Sequence, residues 1–152
     1  MPSVDQPVAT VSDMESLGSK IAAHLSRASL IYLRGPLGAG KTTLVRGMLR
    51  GLGHEGAVKS PTFTLVEPYS FPELEFYHFD LYRLNNPEEL EFLGVRDYLH
   101  GKGVCVVEWA ERAEDVLPTP DVDIMISPTG TGRMVRITAY TDHGKSLLDA
   151  VP

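Results

Sequence analysis

The octapeptide Gly35-Pro36-Leu37-Gly38-Ala39-Gly40-Lys41-Thr42 lies between two segments of opposite periodicity. Before it, Leu30-Ile31-Tyr32-Leu33-Arg34 reads as a buried strand. After it, Leu44, Val45, Met48, Leu49 and Leu52 recur at helical spacing until Gly53 stops the run. A strand, a Gly-x4-Gly-Lys-Thr loop and a helix in that order form the phosphate-binding P-loop pattern. Glycines let successive backbone N–H groups curl around anionic oxygens, and the following helix adds the positive end of its dipole. Lys41 supplies a full charge for the β- and γ-phosphates, and the Thr42 hydroxyl is placed to ligate Mg²⁺. Nucleotide binding is therefore the first expectation for this chain.

At 152 residues with 43% apolar content, the sequence supports one core and a single domain over residues 1–152. Its net charge of −6 argues against binding nucleic acid by bulk electrostatics alone. A local basic patch of Lys41, Arg46, Arg50 and Lys59 could surround the phosphate site, although Arg46 and Arg50 also suit a solvated helix face. Cys105 is the sole cysteine and lies in the apolar run Val104–Val107, so it reads as an inert buried thiol. No apolar stretch approaches the length that spans a bilayer, and residues 1–13 carry acids and prolines instead of a secretory pattern. A cytoplasmic protein without membrane attachment is the expectation.

Along the chain, Val8–Val11 is a short strand candidate. Ser12-Asp13-Met14-Glu15 matches a capping box ahead of a helix carrying Met14, Leu17, Ile21 and Leu25. Lys59-Ser60-Pro61-Thr62 forms a turn before a hairpin of Phe63–Tyr69 and Glu75–Asp80. Asn86-Pro87-Glu88-Glu89 opens a short helix that resumes to Leu99. Gly103–Glu108 is the most strand-like segment, uniformly apolar as a strand covered on both faces should be, and is expected beside the P-loop strand. Asp121–Ser127 and Arg133–Tyr140 flank Gly130-Thr131-Gly132 as a hairpin, followed by a helix from Asp142 to Ala150. The fold class is α/β, a P-loop NTPase-type mixed β-sheet flanked by helices.

A P-loop ATPase needs a carboxylate at the end of a neighbouring strand to hold Mg²⁺ and position water. Phe76–Asp80 and Val104–Glu108 each end in one. The apolar continuity of the second favours Glu108 near the metal and gives Asp80 a supporting or water-orienting role. The sequence leaves that choice open, since acids also follow strands as helix caps. Ser60-Pro61-Thr62 has the hydroxyls to sense a γ-phosphate. Trp109 follows Glu108 and could pack beside the pocket, whereas His78 and His24 have no partners at ligand spacing and read as structural.

Taken together, Gly35–Thr43, Lys59-Ser60-Pro61-Thr62-Phe63-Thr64-Leu65, His78-Phe79-Asp80-Leu81-Tyr82-Arg83 and Val107-Glu108-Trp109 closely resemble the bacterial TsaE (YjeE) family in order and spacing, from about Thr10 to Arg136. The resemblance implies a small cytoplasmic Mg²⁺-dependent ATPase that works with the TsaB–TsaD pair in forming threonylcarbamoyladenosine beside the tRNA anticodon. Contact with tRNA would be indirect, through that complex. It implies a phosphate site at Gly38, Ala39, Gly40, Lys41, Thr42 and Thr43, Mg²⁺ ligands at Thr42 and Glu108, and functional neighbours at Asp80 and Trp109. It also implies that Thr10 lies near the base and Arg133 near the nucleotide. Two rival readings fit a P-loop of this size. One is a small-molecule kinase, which needs an acceptor pocket and a basic lid; the other is an adaptor gated by bound nucleotide without turnover. A GTPase is disfavoured because no Asn/Thr-Lys-x-Asp guanine-reading motif occurs.

Overall fold

The computed structural model describes residues 1–25 and 28–151. Seven strands form one mixed sheet in the order β1-β7-β6-β2-β5-β4-β3. They are β1 (Ser3–Val8), β2 (Ser29–Arg34), β3 (Val66–Ser70), β4 (Glu75–Asp80), β5 (Val104–Glu108), β6 (Val122–Thr129) and β7 (Gly132–Ala139). At its centre β2 runs parallel to both β5 and β6, and β4 runs parallel to β5. The outer pairs β1–β7, β6–β7 and β3–β4 are antiparallel. The prolines within β1 and β3, Pro7 and Pro68, both lie on edge strands, where a missing N–H costs no ladder bond on the open side.

Side-chain alternation divides the core between the two faces of this sheet. Ile31, Leu33, Val104 and Val106 face α1 (Val11–Ala22), α2 (Lys41–Gly51) and α5 (Asp142–Asp149). Tyr32, Cys105 and Val107 face the opposite layer, built on Leu90 of α3 (Glu88–Phe92), Val95 of α4 (Val95–Leu99) and the 3-10 turn Ala110–Ala113. Both faces are therefore covered, which explains why all five residues of β5 are buried. On the first face α1 and α2 approach until their backbones nearly touch. A Cβ added at Gly47 would lie 2.2 Å from the Glu15 carbonyl oxygen, and one at Gly18 2.3 Å from that of Leu44. Among the described residues, no helix is long and apolar enough to cross a membrane.

The expected α/β architecture, the P-loop strand and helix, the central position of β5 and the C-terminal hairpin and helix are all present. Four boundaries differ. The first strand is Ser3–Val8 instead of Val8–Val11, because residues 3–8 pair along β7. The helix that follows is capped by Thr10, two residues before Ser12, its hydroxyl accepting from the Asp13 amide at 3.1 Å. The third strand begins at Val66 instead of Phe63: residues 61–65 close a turn through the Leu65 amide and Pro61 carbonyl, and Leu65 takes a left-handed φ of 68°. The N-cap of α3 is Pro87, one residue after the expected Asn86, whose side chain accepts from the Glu88 amide at 3.0 Å while Glu89 reaches back to the Asn86 amide. Gly94, with φ of 74°, separates α3 from α4.

Candidate active site

The three chemistry-bearing segments converge because each leaves the C-terminal edge of a parallel strand. The P-loop follows β2, Asp80 ends β4 and Glu108 ends β5, with Asp80 and Glu108 paired in register. Crevices outside the carboxyl ends of such strands are where open α/β sheets bind ligands.

Gly38 and Gly40 adopt φ of 79° and 112°, the region that bars most side chains, and Gly40 is the N-cap of α2. A Cβ built on Gly38 would meet nothing within 4 Å, so the space over the loop backbone is open to a ligand. The helix start has no side-chain cap. Its N-terminal amides therefore depend on an outside acceptor.

A cavity of about 380 Å³ opens above this loop, lined by Gly38, Gly40, Lys41, Thr42, Thr43, Ser60, Thr62, Asp80, Glu108 and Trp109, with Leu37, Tyr82 and Arg83 at its rim. A second, of about 210 Å³, lies on the other side of the loop between α1 and β7. Thr10, Met14, Ala39, Thr131 and Arg133 line it, and it shares Gly38, Gly40 and Thr43 with the first. The structure thus places every site residue implied by the family resemblance, though not the wider basic patch, around two adjoining spaces. Lys41, Asp80 and Glu108 stand in one, Thr10 and Arg133 in the other.

Lys41 is buried, and its Nζ donates to the Gly35 carbonyl at 2.8 Å. It also lies 3.8 Å from Glu108 Oε1 and 4.3 Å from the centre of the Trp109 ring. Two buried, opposite charges at the wall of a cavity offset one another's loss of water and hold the ammonium at the loop. Trp109 carries a positive φ of 58° without being glycine, a costly conformation that turns the chain immediately after Glu108 and sets the ring beside Lys41. Asp80 accepts from the Tyr82 amide at 2.9 Å through Oδ1 and from the Thr62 hydroxyl at 3.3 Å through Oδ2. Ser60 and Thr62 hydroxyls are 2.6 Å apart, so the turn expected to sense phosphate is joined to the carboxylate across the cavity.

Arg133 acts on the loop from behind. Its Nε donates to the Ala39 carbonyl at 3.0 Å and its Nη2 to that of Gly38 at 3.3 Å. These bonds turn two loop carbonyls toward β7. Of the four cations read as a possible basic patch, only Lys41 lines either cavity. Arg46 pairs with Glu15 at 3.6 Å, and Arg50 binds the carbonyls of His54 and Gly56. The solvated-face reading is the correct one for that pair.

The sequence reading missed His78. It is fully buried, and its Nε2 lies 2.5 Å from Glu108 Oε2. Its partner is 30 residues away on the adjoining strand, so no local spacing could reveal it. Only the parity of β4 and β5, with His78, Asp80, Val106 and Glu108 on the α2 side of the sheet, brings the two together.

The donor set fits Mg²⁺ in the manner of a P-loop. Among the described residues no group of three or more His, Cys, Asp or Glu could hold a metal. What is present is the Thr42 hydroxyl at the helix start, with those of Thr43, Ser60 and Thr62 nearby, and the carboxylates Glu108 and Asp80 at one cavity. Magnesium favours such sites, taking one or two carboxylates and completing its shell with phosphate oxygens and water.

Comparison with known proteins gives the family. The family model described as threonylcarbamoyl adenosine biosynthesis protein TsaE matches residues 8–135. The chain is similar to the tRNA threonylcarbamoyladenosine biosynthesis protein TsaE of Haemophilus influenzae, 45% identical over 99% of this chain and 98% of that one. The Bacillus subtilis protein of the same name is 41% identical over 90% of this chain and 86% of its own. The crystal structure of Bacillus subtilis YdiB superposes with a TM-score of 0.85 at 32% identity, covering 97% of this chain and 93% of that one. Agreement of sequence and fold over nearly the whole length places this chain in the TsaE family, whose members are named for the biosynthesis of threonylcarbamoyladenosine in tRNA.

Proposed function

We propose that this protein is a Mg²⁺-dependent ATPase of the cytoplasm that docks on a TsaB–TsaD pair, its hydrolysis being linked to turnover of that complex as it forms threonylcarbamoyladenosine in tRNA. The observation that carries the ATPase reading is the convergence of Lys41, Thr42, Asp80 and Glu108 on one cavity over an uncapped helix start. The partner assignment rests on family membership. Contact with tRNA is indirect, through the complex.

In this reading the loop amides of Gly38 to Thr43 and the Lys41 ammonium bind the phosphate chain and spread its charge over fixed donors. Magnesium, when bound by Thr42 and Glu108, supplies Lewis-acid neutralisation of the phosphate oxygens. Asp80, fixed through both oxygens by Tyr82 and Thr62, orients the attacking water. The cavity beside Thr10 and Arg133 takes the nucleoside.

The test is reconstitution. Purified protein should hydrolyse ATP slowly alone and faster with TsaB–TsaD. With tRNA, threonine, bicarbonate and the enzyme that makes the activated intermediate, it should support repeated rounds of modification. ATP binding without turnover under any of these conditions would point to the gated adaptor. Phosphate transfer to a small acceptor without partners would point to a kinase.

A further inference from the structure

We infer that His78 is a positioning residue for Glu108, fixing one oxygen of that carboxylate so that the other is presented to the cation beside the phosphate loop. This rests on the ATPase reading above and assigns a role to a side chain outside it.

The argument begins with what a buried imidazole costs. His78 is 0% exposed, and its Nδ1 has no hydrogen-bond partner among the described residues. A polar atom stranded in the interior loses its hydration without return, a cost that an apolar side chain at this point of β4 would avoid. The compensation is on the other nitrogen, 2.5 Å from Glu108 Oε2. An ionised carboxylate only accepts, so Nε2 carries the proton and donates; a neutral ring then leaves Nδ1 as a bare lone pair, the less costly of the two atoms to strand. Among the described residues no hydrogen bond on the Nδ1 side competes with the one to Glu108.

Glu108 is the end of β5, and three side-chain torsions separate its carboxylate from the strand. With Oε2 held by His78, Oε1 is the oxygen that faces Lys41 at 3.8 Å and the cavity. The two oxygens thus have different duties: one is anchored in the sheet, the other is offered to positive charge. Carboxylates that ligate metals are commonly held by such an outer hydrogen bond. The bland alternative is a histidine that only fills the core, and the two differ in what they predict for metal affinity.

The test compares His78→Leu, which removes the donor, with His78→Gln, whose amide nitrogen can occupy the position of Nε2. The probes are ADP and Mn²⁺, read by calorimetry for the nucleotide and by electron paramagnetic resonance for the metal. In His78→Leu, ADP affinity without metal should be unchanged, whereas Mn²⁺ affinity in the ADP complex should fall roughly 10- to 100-fold, the usual effect of losing an outer-shell partner. His78→Gln should recover most of that loss. A folded His78→Leu that holds Mn²⁺ like the wild type overturns the inference, as does equal impairment in both variants, which would indicate packing alone. Should His78→Leu not fold, ¹⁵N spectra of wild-type protein labelled at histidine decide. They must show His78 protonated on Nε2 and bare on Nδ1, with a shift on adding Mg²⁺ and ADP, and the opposite tautomer or no response overturns it. Wild-type protein that binds no nucleotide would instead overturn the proposed function itself, and this role with it.

Discussion

Replacing Arg133 with alanine tests the contribution of loop shape to binding, because Arg133 holds the P-loop through carbonyl oxygens besides walling the cavity near Thr10. Its bonds to Ala39 at 3.0 Å and Gly38 at 3.3 Å hold those carbonyls toward β7. A partly exposed hydrogen bond contributes about 1 kcal/mol net, so removing both raises the energy of the ordered loop by about 2 kcal/mol. Peptide units of a glycine loop rotate easily, and conformers with a carbonyl aimed into the cavity then compete. Ligand affinity falls with the fraction of protein in the competent shape. At about 1.4 kcal/mol per tenfold, the dissociation constant for ATP should rise roughly thirtyfold. Arg133→Lys, able to replace one bond and not both, should weaken binding by about fivefold on the same scale. The assay is titration calorimetry with ATP and Mg²⁺, beside a thermal melt to show that the sheet is intact. Affinity within threefold of wild type in Arg133→Ala would refute the reasoning and reduce Arg133 to a surface contact.

Four further outcomes are expected. Lys41→Ala should abolish hydrolysis in a phosphate-release assay, whereas Glu108→Ala should weaken metal-dependent turnover more than nucleotide binding; normal metal-dependent turnover in Glu108→Ala would transfer the metal role to Asp80. Gly47→Ala drives a methyl to 2.2 Å from the Glu15 carbonyl oxygen. Overpacking of that kind costs up to about 3 kcal/mol, so calorimetry should show a melting temperature lower by about 5–10 °C, and an unchanged one would refute the backbone-contact account of the α1–α2 seam. Burial pushes the Cys105 thiol up to about 12, so at pH 8 only roughly one molecule in ten thousand carries the reactive thiolate. Iodoacetamide should leave the folded protein unmodified and label it fully in urea, and labelling of the native protein would show that β5 opens.

How much could be read in advance depended on the range of the interaction that fixes each feature. The P-loop and its flanking strand and helix are a local pattern, and β5 is legible because a strand covered on both faces must be apolar throughout. Residues 3–8 gave a weaker signal: Ser3, Asp5 and Pro7 alternate with Val4, Gln6 and Val8 on an edge strand whose pairing depends on β7 over 100 residues away. The helix cap was misplaced because Thr10-x-x-Asp13 and Ser12-x-x-Glu15 are equally good patterns, and the place where β1 ends decides between them. His78 and Arg133 illustrate the other limit. One finds its partner across a parallel strand pair, the other binds carbonyls 94 and 95 residues away, and backbone acceptors leave no mark on a sequence. Thr10 and Arg133 were accordingly reached through family resemblance and not through their own chemistry.

The strand order divides ownership of the two cavities. Apart from the phosphate loop itself, the smaller cavity is walled by Thr10 at the cap of α1, Met14 on α1 and Arg133 on β7, elements that follow β1 or pair with it at one end of the sheet. The acids and hydroxyls of the other side come from β4, β5 and the 60–62 turn in the opposite half, and the two halves meet only at the loop after β2. On the proposed function, a protein seated on the β3–β4 flank would reach the phosphate end of the site and leave the Thr10–Arg133 end untouched. On that proposal, grip and firing would be separately adjustable.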